Sequence, residues 1–176
     1  MMMIAYWILG SLVGLVIALL AIGACLPPGH VATSGIRIGS SPQQVWDVAS
    51  DYATWATWAP GVKSMERLPD RDGRAVWKMV TRQGAMAWVV EIADPPRRRV
   101  TRILDEGLPF GGSWTWEFAA DGAGTRVTLT EDGVIRNLLF RALSRFVFGH
   151  HATLEKFLAA LAKRMGSEGA KVERVR

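Results

Sequence analysis

Leu108-Pro109-Phe110-Gly111-Gly112-Ser113-Trp114-Thr115-Trp116-Glu117 is the stretch that decides how this chain is read. A glycine-rich connection opens into a run in which Trp114, Trp116 and Phe118 alternate with Thr115 and Glu117. Successive side chains of a strand point to opposite faces, so the aromatics share one face and the polar pair the other. The run predicts a half-buried strand whose inner side is unusually bulky.

Outward from it the same period continues. Downstream, Asp121-Gly122 marks a turn, and Thr125 to Glu131 gives a strand on which Val127, Leu129 and Glu131 share parity. Upstream lie Val62 to Leu68, Arg74 to Thr81, Ala85 to Ala93 and Val100 to Leu104, separated by Asp72-Gly73, Gln83-Gly84 and Asp94-Pro95-Pro96. Short runs divided by such turn residues predict an antiparallel meander. Ahead of it, Ile36 and Ile38 alternate with Arg37, which predicts a short first strand. Ser41 is placed as an N-cap with Pro42 at the first helical position, opening a helix that carries Val45, Trp46, Val48 and Ala49. Trp55 and Trp58, three residues apart, share a face of a second short helix.

After the last strand the period changes. Leu139, Leu143, Phe146, Val147, His150, Leu154, Phe157, Leu158, Leu161 and Met165 follow the spacing of one long amphipathic helix, with Gly149 as a place to bend. The tail from Ser167 is polar and expected to fray. The order predicts an α+β fold, seven antiparallel strands curling around a long C-terminal helix, with space for a cavity between them.

The first thirty residues have a different chemistry. No Lys, Arg, Asp or Glu precedes Arg37, so the net charge of +5 belongs to the rest of the chain. Ile8 to Leu26 is apolar or small over 19 residues, about 28 Å of helix against a bilayer core of about 30 Å. Tyr6 and Trp7 suit a headgroup layer at one end, and Pro27-Pro28-Gly29 stops the helix at the other. A cleaved signal lacks its basic start. A lipoprotein signal is approximated by Ile22-Gly23-Ala24-Cys25 but lacks the same feature. A single-pass anchor fits best, giving residues 1–29 as anchor and exit turn, 30–166 as the folded domain and 167–176 as tail. Arg37 after the span mildly favours a cytoplasmic domain, although a periplasmic one fits too; a bacterial inner membrane is the expected location. Cys25, the single cysteine, excludes an internal disulfide.

Several marks in order resemble the START-like, birch-pollen-allergen-like superfamily, in its polyketide cyclase/dehydrase and lipid transport branch. They are Ser41-Pro42-Gln43-Gln44-Val45-Trp46 with Asp51 and Trp58, Asp94-Pro95-Pro96-Arg97, the Leu108–Glu117 run, Gly124-Thr125-Arg126-Val127 and Thr130-Glu131-Asp132-Gly133. The resemblance spans about Ile36 to Leu161. It implies a helix-grip fold with an apolar cavity; it does not imply one chemistry, since carriers, sensors and cyclases share that fold.

The candidate ligand wall follows from strand parity. Trp77 and Met79, then Trp88 and Val90, then Trp114 and Trp116, then Leu129, each face one side of a strand. Either they line a site for a flat or chain-like apolar ligand, or they fill a core beneath the helix. Phe146 and His150 join from the helix stripe, and Phe110 sits in a Gly107–Gly112 connection expected to act as a movable lip. Arg102 has the parity of Val100 and Leu104. In the simplest hairpin registers Arg102, Trp114 and Glu131 form a row, which predicts an Arg102–Glu131 pair at one end of the cavity, orienting a polar head or merely bracing the sheet.

Metal chelation by His150 and His151 is disfavoured, because adjacent helix residues diverge by about 100°. No metal, cofactor or catalytic-triad motif is present, and no cofactor is expected. Arg97-Arg98-Arg99 reads as a solvated turn, or as a basic patch toward anionic headgroups; without a nucleic-acid-binding motif it does not argue for nucleic acid. The expected partner is a hydrophobic small molecule or lipid. A cyclase- or hydratase-type enzyme using Glu131, Arg102 or His150 is the second reading, and a ligandless domain with a filled core the third.

Overall fold

The computed structural model describes residues 2–176, and the side chains of all of these except residues 2–5 and Phe148. Helix α1 (Met2–Cys25) is followed by β1 (Gly29–Ile38), α2 (Pro42–Ser50), a 3-10 turn (Tyr52–Thr54) and α3 (Trp55–Trp58). Strands β2 (Val62–Arg71), β3 (Arg74–Thr81), β4 (Ala85–Asp94), β5 (Arg98–Ile103), β6 (Phe110–Asp121) and β7 (Gly124–Ile135) come next. The chain ends with α4 (Leu138–Leu143), a π turn (Ser144–Phe148), α5 (Ala152–Arg164) and β8 (Glu173–Arg174).

The strands form one sheet in the order β2-β3-β4-β5-β6-β7-β1-β8, and every described pairing is antiparallel. The meander is the expected one, and β1 returns beside β7 to complete it. The open side of the curved sheet is covered by α2, α3 and α5, with Leu154, Leu158 and Leu161 of α5 fully buried against Ile36, Val127 and Leu129. Helix α2 begins as a capping box: the Ser41 Oγ accepts from the Gln44 backbone N–H, and the Gln44 Oε1 accepts from the Ser41 backbone N–H at 3.0 Å, satisfying two otherwise orphaned donors.

Three expectations are corrected. The first strand is not short but ten residues long, because β7 pairs it along its whole length, from Gly29↔Val134 to Ile38↔Thr125. The C-terminal helix is two pieces: the π turn and Gly149, at φ 70, break it before α5. The tail does not fray. β8 pairs Ser34 and Gly35 of β1, and Arg174 Nε reaches Glu155 Oε1 at 2.5 Å.

Helix α1 is long and apolar enough over Tyr6–Cys25 to cross a membrane. It stands clear of the sheet and meets the domain at α4. Gly23 lets the backbones touch, since a Cβ there would collide with the Leu138 carbonyl. Arg141 Nη1 donates to the Gly23 and Leu26 carbonyls at 3.1 and 3.2 Å, closing the C-terminal end of α1, where free carbonyls favour a cation.

Candidate functional site

The concave face of the sheet carries an aromatic network whose spacing follows from register. Trp77 on β3 stands opposite Trp88 on β4, and Trp114 and Trp116 on β6 stand opposite Glu131 and Leu129 on β7. From above, α3 and α5 add Trp55 and Phe157. Trp114 meets Phe157 edge-on at 5.0 Å, Phe157 meets Trp55 at 5.5 Å, and Trp55 meets Trp88 at 5.9 Å. Edge-to-face and tilted pairs at these distances are the favoured aromatic geometry. Met79, Trp88, Trp116 and Leu129 are buried. Trp77, Val90 and Trp114 are only half-buried, as are Met65 and Met86 beside them. The reason lies in the position of α5, which packs on β1 and β7 and touches α3, leaving the β3–β4 side of the trough under less cover.

Arg102 does not join this wall. Its row is Val89, Ser113 and Asp132, so it lies on the convex face, and its Nε donates to Glu91 Oε1 at 2.6 Å. The row of Trp114 and Glu131 instead contains Thr101. The simplest registers are off by one residue, and a single step moves a side chain to the opposite face. β4 also bulges at Glu91, which brings the carboxylate to Arg102. The expected Arg102–Glu131 pair therefore does not form.

Glu131 faces a different partner. His30, in the first strand just beyond the turn that follows α1, places Nε2 3.6 Å from Glu131 Oε1 and stacks on His150 with ring centroids 3.9 Å apart. Gly133, opposite His30 in the register, makes room: a Cβ there would lie 2.7 Å from His30 Nε2. His150 and His151 are not neighbours on a helix; they occupy the break before α5, and His151 Nδ1 meets Ser34 Oγ at 3.1 Å. Burial, then the neighbouring His30, lowers the His150 pKa, while Glu131 partly offsets them. Among the described residues no group of three or more His, Cys, Asp or Glu is arranged to hold a metal ion.

Two further expectations change. Phe146 is 68% exposed, turned outward by the π turn, and does not reach the concave face. Phe110 to Gly112 are not a free lip: they pair with Gly133 to Ile135 as the start of β6. Arg136 Nη1 holds the Leu108 and Phe110 carbonyls at 3.2 and 2.8 Å.

One residue of the interior gave no sequence signal as a site. Arg99, in the run read as a solvated turn, is 1% exposed. β5 pairs it with Trp116, on the concave face. Its Nη1 donates to the Ala49 carbonyl at 2.7 Å and to Ser50 Oγ at 2.8 Å, at the end of α2. Its guanidinium carbon lies 5.0 Å from the Tyr52 ring centre and 5.3 Å from that of Trp116. The strand alternation that sets Thr101 inward sets Arg99 inward too. Val100, whose apolar character suggested the opposite parity, is buried outside the main core cluster.

Comparison with known proteins agrees with this architecture. Residues 30–166 match the family model described as polyketide cyclase / dehydrase and lipid transport. A protein from Thermus thermophilus superposes with a TM-score of 0.65 at 22% identity, covering 78% of this chain and 98% of its own. The Zhui aromatase/cyclase from Streptomyces sp. R1128 gives 0.62 at 18%, covering 78% and 94%. A START superfamily protein from Mycobacterium smegmatis gives 0.63 at 17%, covering 78% and 97%. At these identities the likeness shows the fold. No curated protein matches the chain in sequence.

Proposed function

Because the chain belongs to the polyketide cyclase / dehydrase and lipid transport family, we propose that it holds a hydrophobic small molecule or lipid between its sheet and α5, beside a membrane to which α1 tethers it. The observation that carries this reading is the half-buried stretch of the concave wall. Met65, Trp77, Met86, Val90 and Trp114 adjoin the core but are only partly covered. Apolar side chains that border the core and stay partly open to solvent favour an apolar occupant. The tether supports a lipid in particular, since confinement raises the local concentration of membrane-borne ligands.

The test uses the full chain in detergent micelles, exposed to a membrane lipid extract and weighed by native mass spectrometry. A discrete bound mass is expected. It should disappear in Val90→Trp, which fills the open part of the wall while the far-ultraviolet circular dichroism stays unchanged. A chain that stays bare across lipid classes, or a bound mass indifferent to Val90→Trp, ends this reading. Trp116 is unsuitable for the purpose, because a fully buried residue reports on folding.

A second reading, a cyclase-type enzyme, is favoured by one observation. Glu131, His30 and His150 meet at one end of the trough, beside Trp114, and a carboxylate beside an imidazole is a workable acid–base pair. Aromatase/cyclases share the fold. Turnover of a polyketide-like substrate that is lost in both Glu131→Gln and His30→Asn, with binding kept, would move the assignment to this reading.

A further inference from the structure

Arg99 is a buried cation whose partners within the protein account for only part of it. Nη1 is used at the end of α2, where it ties that helix to the sheet. Nε and Nη2 are buried and have no acceptor among the described residues. Among the described residues no carboxylate compensates the charge. Asp94 is taken by Arg97 and Glu91 by Arg102, and the ionisable group that bears on Arg99 is Tyr52. Burial raises the Tyr52 phenol pKa, so it stays neutral near pH 7 and supplies no counter-charge. Burial works against the charge on Arg99 as well. The Tyr52 and Trp116 rings offer cation–π attraction, but a ring face is not an acceptor for two in-plane N–H groups.

The two free nitrogens form one edge of the guanidinium. Nε–H and Nη2–H point the same way, and that fork donates two parallel bonds to a carboxylate or phosphate. A single buried positive charge is matched by a single negative one, whereas a phosphate monoester would bring about two into an apolar interior. The surroundings select what is attached, for Tyr52, Trp88 and Trp116 make the vicinity aromatic. The Trp88 indole N–H and the Tyr52 hydroxyl are buried there without a hydrogen bond of normal geometry.

We propose that the Nε–Nη2 edge of Arg99 is the seat of a carboxylate carried on an apolar body, a fatty acid or an aromatic acid. The proposal rests on the ligand-binding reading above and specifies the polar end of that ligand. The acid sits with its head toward β5 and its apolar part along the Trp116 and Trp114 wall. Arg99 is then a binding residue through one edge and a structural one through Nη1.

The full chain in lipid nanodiscs is titrated with [1-13C]decanoate, 2-naphthoate and the matching alcohols, with empty discs as reference. At least one acid is expected to bind saturably and at least tenfold more tightly than its alcohol. Its carboxyl should stay ionised to about 1 pH unit or more below the free acid. Arg99→Met should bind that acid at least tenfold more weakly and the alcohol unchanged. Its melting temperature should be equal or higher, since replacing a buried charge by an apolar chain is often stabilising and Ala49 O keeps its bond from Trp55 Nε1 at 3.1 Å. Acid and alcohol binding equally, or an acid indifferent to Arg99→Met, overturns the carboxylate seat while leaving the ligand-binding reading intact. So does lipid-extract binding without either acid. A chain that takes neither acid, alcohol nor extract loses both. If Arg99→Met does not fold, the wild-type titration decides: a bound carboxyl that titrates like the free acid overturns the proposal.

Discussion

At the scale of single residues, this site is governed by close approaches that one added atom would disturb. Gly133 leaves the space that the His30 ring occupies, between Glu131 and His150. Gly133→Ala is expected to push His30 off both neighbours while leaving the fold intact, because the atoms that must move are the end of a side chain. The check is the imidazole region of the 1H–15N spectrum, where His30 and His150 should shift and His151 much less. His150 also sets a pH dependence. It is faced by His30, Glu131, Arg145 and His151, and its folded pKa is below 6.5, so between that value and 6.5 the unfolded chain binds more protons. Stability should therefore fall as pH drops through 6.5 toward the folded pKa. Melting temperatures at pH 7.5 and 5.5 should differ less in His150→Asn than in wild type; an equal or larger difference would mean that His150 does not carry the effect.

Among elements, what could be read from the sequence divides by range. Strand alternation is local, and Trp77, Trp88, Trp114 and Trp116 stand on the face that period two gives them, in the meander that the turn residues mark out. Register is not local. Arg102 and Glu131 could be placed in one row only by assuming simple hairpins, and the bulge at Glu91 is invisible until β4 and β5 are paired. Arg99 was hidden differently. Three arginines after two prolines describe an exposed turn by composition, and only the pairing of β5 with β6 turns the third inward. In the sequence the C-terminal helix reads as continuous because its apolar spacing runs through residues that adopt a π turn and a Gly149 break. The tail reads as free because two paired residues leave no periodicity. Its role is testable: truncation after Gly169 removes the cover of the β1 edge and the Arg174–Glu155 bond. An exposed strand edge invites pairing between copies, so the truncated chain should melt a few degrees lower and associate in a concentration-dependent way. A monodisperse truncated chain of unchanged melting temperature would show the tail to be incidental.

For the whole molecule, α1 and the domain are joined more firmly than a linker would join them. Gly23 against Leu138 and the Arg141 bonds to the α1 carbonyls fix α4 at the exit end of the apolar helix. The next turn presents Phe146 and Val147, 68% and 66% exposed, with Arg145 beside them. Apolar side chains next to a basic one suit the boundary between acyl chains and headgroups. The His30–Glu131–His150 cluster follows directly from that exit, so in a tethered chain the membrane-proximal end of the trough is the one carrying the carboxylate and imidazoles. This arrangement predicts the depth of Phe146. With Cys25 replaced by serine, a spin label at Phe146→Cys in the full chain, reconstituted in liposomes, should be more accessible to oxygen than to a water-soluble nickel complex. A label at Thr57→Cys, on the exposed face of α3, should show the reverse. Adding Gly23→Val, which forces α1 away from the Leu138 backbone, should loosen the domain from the membrane and lower the oxygen preference at position 146. If position 146 is as water-accessible as position 57 before that change, α4 does not hold the domain against the bilayer, and α1 would be a leash rather than a mount.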